Sequence, residues 1–191
     1  MQSHSGESPG PSQPASGNPG TGPPASGQRG TAAQLLMLVV FLAASAAVAG
    51  LGSVAVVANV NGWFATADMP PWTPPKSAFG PVWTVLYIGM AVAAWLVWRH
   101  GAGLTSRPLK LYWAQLLLNL AWTPLFFGLY PILGSLALWL GLAVILALIV
   151  ALSFTVMDFG PISTPAGILL LPYLSWVIFA GTLNAWAAVN N

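Results

Sequence analysis

An apolar run over residues 109–157 constrains this chain more than any other feature of its sequence. About 20 apolar residues cross the ~30 Å hydrocarbon core of a bilayer as a helix, so the run is roughly two crossings long. Gly128, Pro131 and Gly134 interrupt it near its middle and predict a tight turn between two helices. Only 4% of the 191 residues are charged, whereas a soluble domain carries roughly 25%. The chain therefore belongs in a membrane.

Three further apolar segments complete the predicted bundle. Residues 32–58 are long enough for a first span, residues 79–98 form a second, and residues 165–189 form a fifth. In the first span, Ala46 and Gly50 lie four residues apart, a spacing of small residues that permits close approach of another helix. The predicted fold is therefore an all-α bundle of five transmembrane helices.

The N-terminal tail, residues 1–31, is rich in Ser, Pro and Gly and has almost no large apolar side chain. Such a segment cannot bury enough surface to offset its ordering entropy, which predicts disorder. The apolar run that follows exceeds the 7–15 residues of a signal-peptide core, so we interpret it as a span. The folded domain is predicted over residues 32–191.

A loop between the first two spans combines proline with large aromatic rings. Residues 63–87 contain five prolines and three tryptophans. The Pro-Pro pairs at 70–71 and 74–75 fix φ and remove backbone donors, which predicts no helix before Ser77. A stiff aromatic segment joined to a membrane helix suggests a lid over a buried site. The alternative is an aromatic belt at the lipid headgroups.

The basic residues fall mainly on one side of the predicted bundle. Those on the common side are Arg29, Arg99, Arg107 and Lys110, and Lys76 lies on the other. The positive-inside rule then places the N-terminus in the cytoplasm and the proline-rich loop outside it.

Charged residues and histidine are absent from the interior of the predicted spans, which weighs against ion-coupled pumping and proton relays. The two imidazoles, His4 and His100, lie in the tail and at a helix end, so they predict neither a metal site nor haem ligation in the bilayer. Without cysteine, a hydrolytic triad or a carboxylate pair, conventional enzyme chemistry is disfavoured. Five scattered basic residues predict no nucleic-acid partner. No cofactor is predicted.

Aromatic and amide side chains at helical spacing form the candidate site. In the third span Gln115, Asn119 and Trp122 fall on one face, as do Trp83 and Tyr87 in the second. The fifth span repeats the pattern at Tyr173, Trp176, Ala180 and Leu183. Amides that face lipid would lack partners, so these should point into the bundle. Two interpretations stay open: an apolar pocket with sparse polar groups, or amides that only join helices around a filled core.

Five short motifs rich in proline and aromatic residues follow one another along the chain. They are WF at 63–64, PPWTPP at 70–75, FGPVW at 79–83, NLAWTPLFFG at 119–128 and PYLSW at 172–176. In this order they resemble the TspO/MBR family of tryptophan-rich sensory proteins, which are related to the mitochondrial translocator protein. The resemblance covers residues 32–191. It implies a five-helix membrane bundle, commonly a homodimer, that binds tetrapyrroles, sterols and benzodiazepine-type drugs.

The resemblance also assigns ligand-binding residues, because the family pocket lies among the helices beneath the first loop. The matching positions are Trp63, Phe64, Trp83, Asn119, Trp122, Trp176, Ala180 and Leu183. Ala180 matches a small alanine at which added bulk alters ligand and sterol binding. These roles are expectations from the resemblance.

Three departures from the family pattern narrow the expected ligand. Met69 stands where the family usually has lysine, and the region around Trp139 lacks the acidic residue of many relatives. The sterol-recognition pattern of Leu or Val, then Tyr, then Lys or Arg is absent after Leu183. A sterol is therefore disfavoured, and a tetrapyrrole such as protoporphyrin IX or haem is favoured.

Three functions follow as hypotheses. The first is a receptor or carrier for planar hydrophobic ligands, above all porphyrins, in the cytoplasmic membrane of a bacterium. The second, which the resemblance suggests, is light- and oxygen-dependent porphyrin degradation, with Trp83 and Trp176 supplying electrons. The third is a sensor of stress or tetrapyrrole level that acts through a partner protein.

Overall fold

The computed structural model describes residues 30–191, and every regular element in that range is helical. The all-α prediction is therefore confirmed for these residues. The predicted disordered tail covers residues 1–31, and its residues 1–29 lie outside the described range. At its end the prediction is wrong, because Thr31 is the first residue of a helix. The helices are α1 (Thr31–Asn59), α2 (Trp63–Thr66), α3 (Lys76–Arg99), α4 (Arg107–Thr123), α5 (Tyr130–Leu133), α6 (Ser135–Phe159) and α7 (Thr164–Asn190), with a π-helical turn over Pro124–Gly128.

Four helices within residues 30–191 are long and apolar enough to cross a membrane. They are α1, α3, α6 and α7, with 29, 24, 25 and 27 residues. Helix α4 has 17 residues and continues into the five-residue π turn. Length and composition therefore support four of the five predicted spans. The predicted third span is the exception, because α4 without its π turn is at the short limit of a bilayer crossing.

The loop between α1 and α3 contains more helix than we predicted from its proline content. Trp63–Thr66 forms α2, and α3 begins at Lys76, directly after Pro75. The prediction of no helix before Ser77 is therefore wrong. Helix α2 ends before the first Pro-Pro pair, so no proline restricts it. Pro75 has a φ of −54° at the N-cap of α3, where a missing N–H breaks no intrahelical hydrogen bond.

Pro124 determines how α4 ends. The helix widens there into the π turn, in which the Leu129 N–H donates to the Pro124 carbonyl over 2.9 Å. Such turns accommodate an extra residue within a helix. Phe126 and Phe127, adjacent in sequence, are both buried in this turn. Helix α6 then starts after Gly134, whose φ of 59° favours glycine.

Helices α6 and α7 pack closely through glycine. A Cβ atom added to Gly141 would lie 3.1 Å from Asn184 Oδ1. A Cβ atom added to Gly167 would lie 3.0 Å from Gly160 Cα. These distances leave no room for a side chain, so the α6–α7 seam is closed.

Helices α1 and α3 are joined at one end and leave a space at the other. At the joined end, the Trp95 indole N–H donates to the Gln34 carbonyl over 2.9 Å. Nearby, the Ser45 and Tyr112 hydroxyls share a hydrogen bond of 3.2 Å that ties α1 to α4. The space lies beside the C-terminal half of α1, and it forms the candidate site.

Candidate functional site

A cavity of about 440 Å³ lies where the C-terminal half of α1 faces the N-terminal half of α3. Helix α2 and the end of α4 complete its wall, and its volume falls within the roughly 300–1,000 Å³ of small-molecule sites. The principal lining residues are Gly50, Gly52, Ser53, Val56 and Val60 of α1, Phe64 of α2, Lys76, Phe79, Trp83, Thr84 and Tyr87 of α3, and Asn119, Trp122, Thr123 and Phe127 beyond them. The lining is therefore mostly apolar and aromatic.

The α3 wall is aromatic because its rings recur every four residues. Phe79, Trp83 and Tyr87 consequently share one face of the helix. The Trp83 and Tyr87 ring centroids lie 5.6 Å apart, and their planes differ by 33°. The Trp83 ring also meets Tyr173 edge to face at 6.2 Å. This wall presents a row of rings on which a flat ligand can stack.

A buried hydrogen-bond network holds the inner wall of the cavity. The Tyr87 hydroxyl donates to Asn119 Oδ1 over 2.6 Å, and Asn119 Nδ2 donates to the Tyr173 hydroxyl over 2.9 Å. One amide thereby joins α3, α4 and α7. Asn119 also lines the cavity, so it serves both interpretations of the sequence: it bonds helices together and it faces the space.

Helix α2 covers the cavity at the end where α1 terminates. Phe64 is buried, lines the cavity and packs against Phe127 with ring centroids 5.1 Å apart. Trp63 points elsewhere: its indole N–H donates to the Phe127 carbonyl over 2.8 Å, and its ring stacks on Tyr130 at 4.1 Å. Trp63 thus anchors the lid to the π turn, and Phe64 is the lid residue that faces the space.

Trp122 separates the cavity from helix α7. Its indole N–H donates to Asn184 Oδ1 over 3.0 Å, and its ring stacks on Phe126 at 5.5 Å. Behind it lies a second void of about 20 Å³, which Ala180 and Leu183 line together with Phe64 and Trp122. The two α7 residues therefore face this small void and do not line the larger cavity.

Trp176 lines neither space. Its ring packs against Phe79 at 5.8 Å and Phe179 at 5.5 Å, and its indole nitrogen is buried without a hydrogen-bond partner. Because Phe79 stands between Trp176 and both spaces, Trp176 supports the site from behind.

The eight residues assigned by resemblance therefore divide into groups. Phe64, Trp83, Asn119 and Trp122 come together around the cavity. The assignment placed no residue of α1 at the site, although α1 supplies a whole wall. It also left out Tyr87, which helical spacing had already placed on the same face as Trp83. No such signal marked α1, because its small and branched residues look alike whether they face lipid or a cavity.

The cavity opens sideways between α1 and α3. Gly50, Ser53, Gly80 and Thr84 line it and are also exposed on the surface of the bundle. No atom lies within 4 Å of a Cβ atom added to Gly50 or Gly80. Gly52 is the α1 glycine that another helix approaches closely, with Thr123 Oγ1 of α4 at 3.3 Å from such an atom. Gly50, which the sequence suggested for close packing, instead borders the opening.

A sequence model of the TspO/MBR family matches residues 38–189, which is most of the chain. The chain belongs to the TspO/MBR family. It is 37% identical over 150 residues to the tryptophan-rich protein TspO of Archaeoglobus fulgidus, covering 78% of this chain and 94% of that protein. It is 39% identical over 128 residues to the translocator protein of Bos taurus, covering 64% of this chain and 70% of that protein.

A third relative extends the similarity to tryptophan-rich sensory proteins. The chain is 34% identical over 149 residues to that of Cereibacter sphaeroides, covering 78% of this chain and 87% of that protein. Membership of the TspO/MBR family and four membrane-spanning helices together make this chain a multi-pass membrane protein. The matched region includes every residue of the cavity wall.

Proposed function

We propose that this TspO/MBR-family protein is a membrane receptor or carrier for planar hydrophobic ligands, with porphyrins as the favoured class. The observation that carries the proposal is the cavity itself, which Phe64, Phe79, Trp83 and Trp122 surround with rings. Flat conjugated ligands stack favourably on such surfaces, and the few polar groups at the inner wall can orient them.

The sideways opening suggests the route by which such a ligand enters. It lies between α1 and α3, two helices long and apolar enough to span the membrane. A hydrophobic ligand dissolved in the bilayer can therefore reach Trp83 without first crossing water. This route suits a carrier of molecules that are poorly soluble outside lipid.

The proposal includes a fifth span and an orientation. Helix α4 and its π turn run together from Arg107 to Gly128, which at 1.5 Å per residue is long enough for the ~30 Å hydrocarbon core. Arg99, Arg107 and Lys110 cluster at the α3–α4 turn, so we assign that end to the cytoplasm. The first turn of α1 lies at the same end, so we place the N-terminus in the cytoplasm, and α2 lies at the other end.

The test measures porphyrin affinity for purified protein in lipid nanodiscs. Trp83→Leu removes the central ring of the α3 wall, so we expect protoporphyrin IX to bind at least tenfold more weakly. Trp139→Leu is the matched control, because Trp139 is 50% exposed on α6 and lies outside the cavity. Its affinity should stay within twofold of wild type. Equal affinity of wild type and Trp83→Leu would place the ligand elsewhere.

The degradation hypothesis has a separate test. It requires Trp83 and Trp176 to react with one porphyrin, but only Trp83 lines the cavity, which favours binding without reaction. Loaded protein would be illuminated in air, and loss of the porphyrin absorbance would be followed. Slower bleaching in a Trp83→Phe, Trp176→Phe double variant than in wild type would support the enzyme.

A further inference from the structure

Lys76 is the one charged residue in the lining of the cavity. It is the first residue of α3 and is exposed where the space meets the surface. Its Nζ donates to the Val60 carbonyl across the mouth over 3.0 Å. An ammonium group has three donors, so this bond leaves two that can meet a ligand.

No acidic side chain of residues 30–191 forms an ion pair with Lys76. The ion pair found there joins Arg107 and Asp158, which belong to the far ends of α4 and α6. The other acidic side chain of the described range, Asp68, lies in the loop before α3, where Asn191 holds its backbone. The mouth of the cavity therefore carries a positive charge without an ion-pair partner beside an apolar interior.

Helix electrostatics do not account for a lysine at this position of α3. A cation at a helix N-terminus is disfavoured by the macrodipole, and Lys76 occupies the first turn. The rival structural explanation is that Lys76 caps the end of α1, because Val60 follows its last residue. That cap uses one N–H donor, and the dipole of α1 favours a cation there, but only weakly because the site is exposed.

We propose that Lys76 selects ligands that carry a carboxylate at the edge of a rigid apolar body and orients that carboxylate towards the mouth. Trp83 lies seven residues further along α3, which is about 10 Å at 1.5 Å per residue. A flat ligand stacked on Trp83 can therefore extend an acidic substituent to Nζ. The inner wall, in contrast, offers the neutral groups of Tyr87 and Asn119.

This inference rests on the proposed function, and its test uses two ligands with the same macrocycle, of which one carries carboxylates and the other neutral methyl esters. Protoporphyrin IX has two carboxylates, and its dimethyl ester has none. Affinities would be measured for full-length protein in phosphatidylcholine nanodiscs, which carry no net charge. Lys76→Gln keeps an N–H donor for Val60 but removes the charge, whereas Lys76→Arg keeps both.

We expect Lys76→Gln to weaken binding of the acid about tenfold, the loss of one charge-assisted hydrogen bond, and to leave the ester within twofold. Lys76→Arg should bind the acid within about threefold of wild type. Raised salt should weaken acid binding to wild type more than to Lys76→Gln.

Two results would overturn the role of Lys76 in carboxylate binding and leave the proposed function standing. One is equal weakening of acid and ester by Lys76→Gln, which would reduce Lys76 to a cap for α1. The other is unchanged binding of the acid. If wild-type protein binds neither porphyrin, the proposed function fails, and the role of Lys76 fails with it.

Discussion

The α1–α3 pair and the α6–α7 pair are built from similar helices and have opposite interiors. All four helices are long and apolar enough to cross a membrane. Hydrophobicity thus does not distinguish them, yet one pair encloses about 440 Å³ and the other is closed. The two pairs differ in the residues that lie opposite their glycines.

In the α6–α7 seam small residues face the opposing helix, whereas in the α1–α3 seam they face large rings. Gly141 meets Asn184, and Gly167 meets the backbone of Gly160. In the α1–α3 seam, Gly50 lines the same space as the large rings of Phe79 and Trp83. In a membrane, where lipid competes equally for apolar surface, such packing details decide whether two helices close.

The largest expected effect comes from adding bulk to the closed seam. In Gly167→Leu the first added atom would already lie 3.0 Å from Gly160 Cα, and backbone cannot move aside cheaply. We expect a destabilisation of about 3 kcal/mol. The loss should appear in the thermal unfolding midpoint and in the monodisperse yield after detergent extraction. An unchanged midpoint would mean that the seam is looser than described.

The next effect comes from removing a bond that fastens this seam. Asn184 accepts from the Trp122 indole and donates to the Leu138 carbonyl over 2.9 Å. Asn184→Leu leaves the buried indole N–H without an acceptor, which should cost about 2 kcal/mol in thermal unfolding. Asn190→Leu is the control, since the exposed Asn190 amide donates only within its own helix. Equal midpoints for the two variants would contradict the assigned role.

The open seam should respond in the opposite way. Gly50→Leu adds a side chain where no atom lies within 4 Å of the new Cβ, so the unfolding midpoint should stay within 2 °C of wild type or rise. The side chain extends into the cavity mouth, so porphyrin affinity should fall about tenfold, or about 1.4 kcal/mol. A Gly50→Leu variant with a lowered unfolding midpoint and unchanged porphyrin affinity would contradict the difference between the open and the closed seam.

The smallest effect concerns the loop over the open seam. Asn191 accepts from the Asp68 N–H over 2.8 Å and donates to the Asp68 carbonyl over 3.0 Å. Asn191→Ala removes both exposed bonds, so amide exchange in residues 67–75 should quicken about threefold, equivalent to ~0.6 kcal/mol. Hydrogen exchange read by mass spectrometry measures this change. Asn190→Ala should leave the same peptide unaffected.

Much of the fold was predictable because long apolar runs allow few structures in a membrane. The turn at Gly134 and the start of α7 near Pro165 followed from residues that interrupt such runs. The helix α2 was not predictable from proline content, since the prolines lie after it. The sequence predicted the turn after the third span at Gly128, Pro131 and Gly134, but it did not indicate that α4 ends at Thr123 and becomes a π turn at Pro124.

The site was predictable only where side-chain chemistry marks it. Rings and an amide distinguished Trp83, Asn119 and Trp122 from residues that face lipid, whereas Gly50 and Val56 carried no such mark. Ala180 lines the small void and not the cavity. Trp122 lines both spaces and is held by its bond to Asn184, a contact between distant residues that spacing along one helix cannot reveal.

On the proposed entry route the gap bordered by Gly50 and Thr84 faces hydrocarbon, so bilayer and protein compete directly for any molecule that fits. Occupancy then follows the mole fraction of that molecule among lipids, and its amount per volume of buffer matters little. Diluting a suspension with buffer should leave the bound fraction almost constant, whereas fusing it with empty vesicles should lower that fraction in proportion to the added lipid.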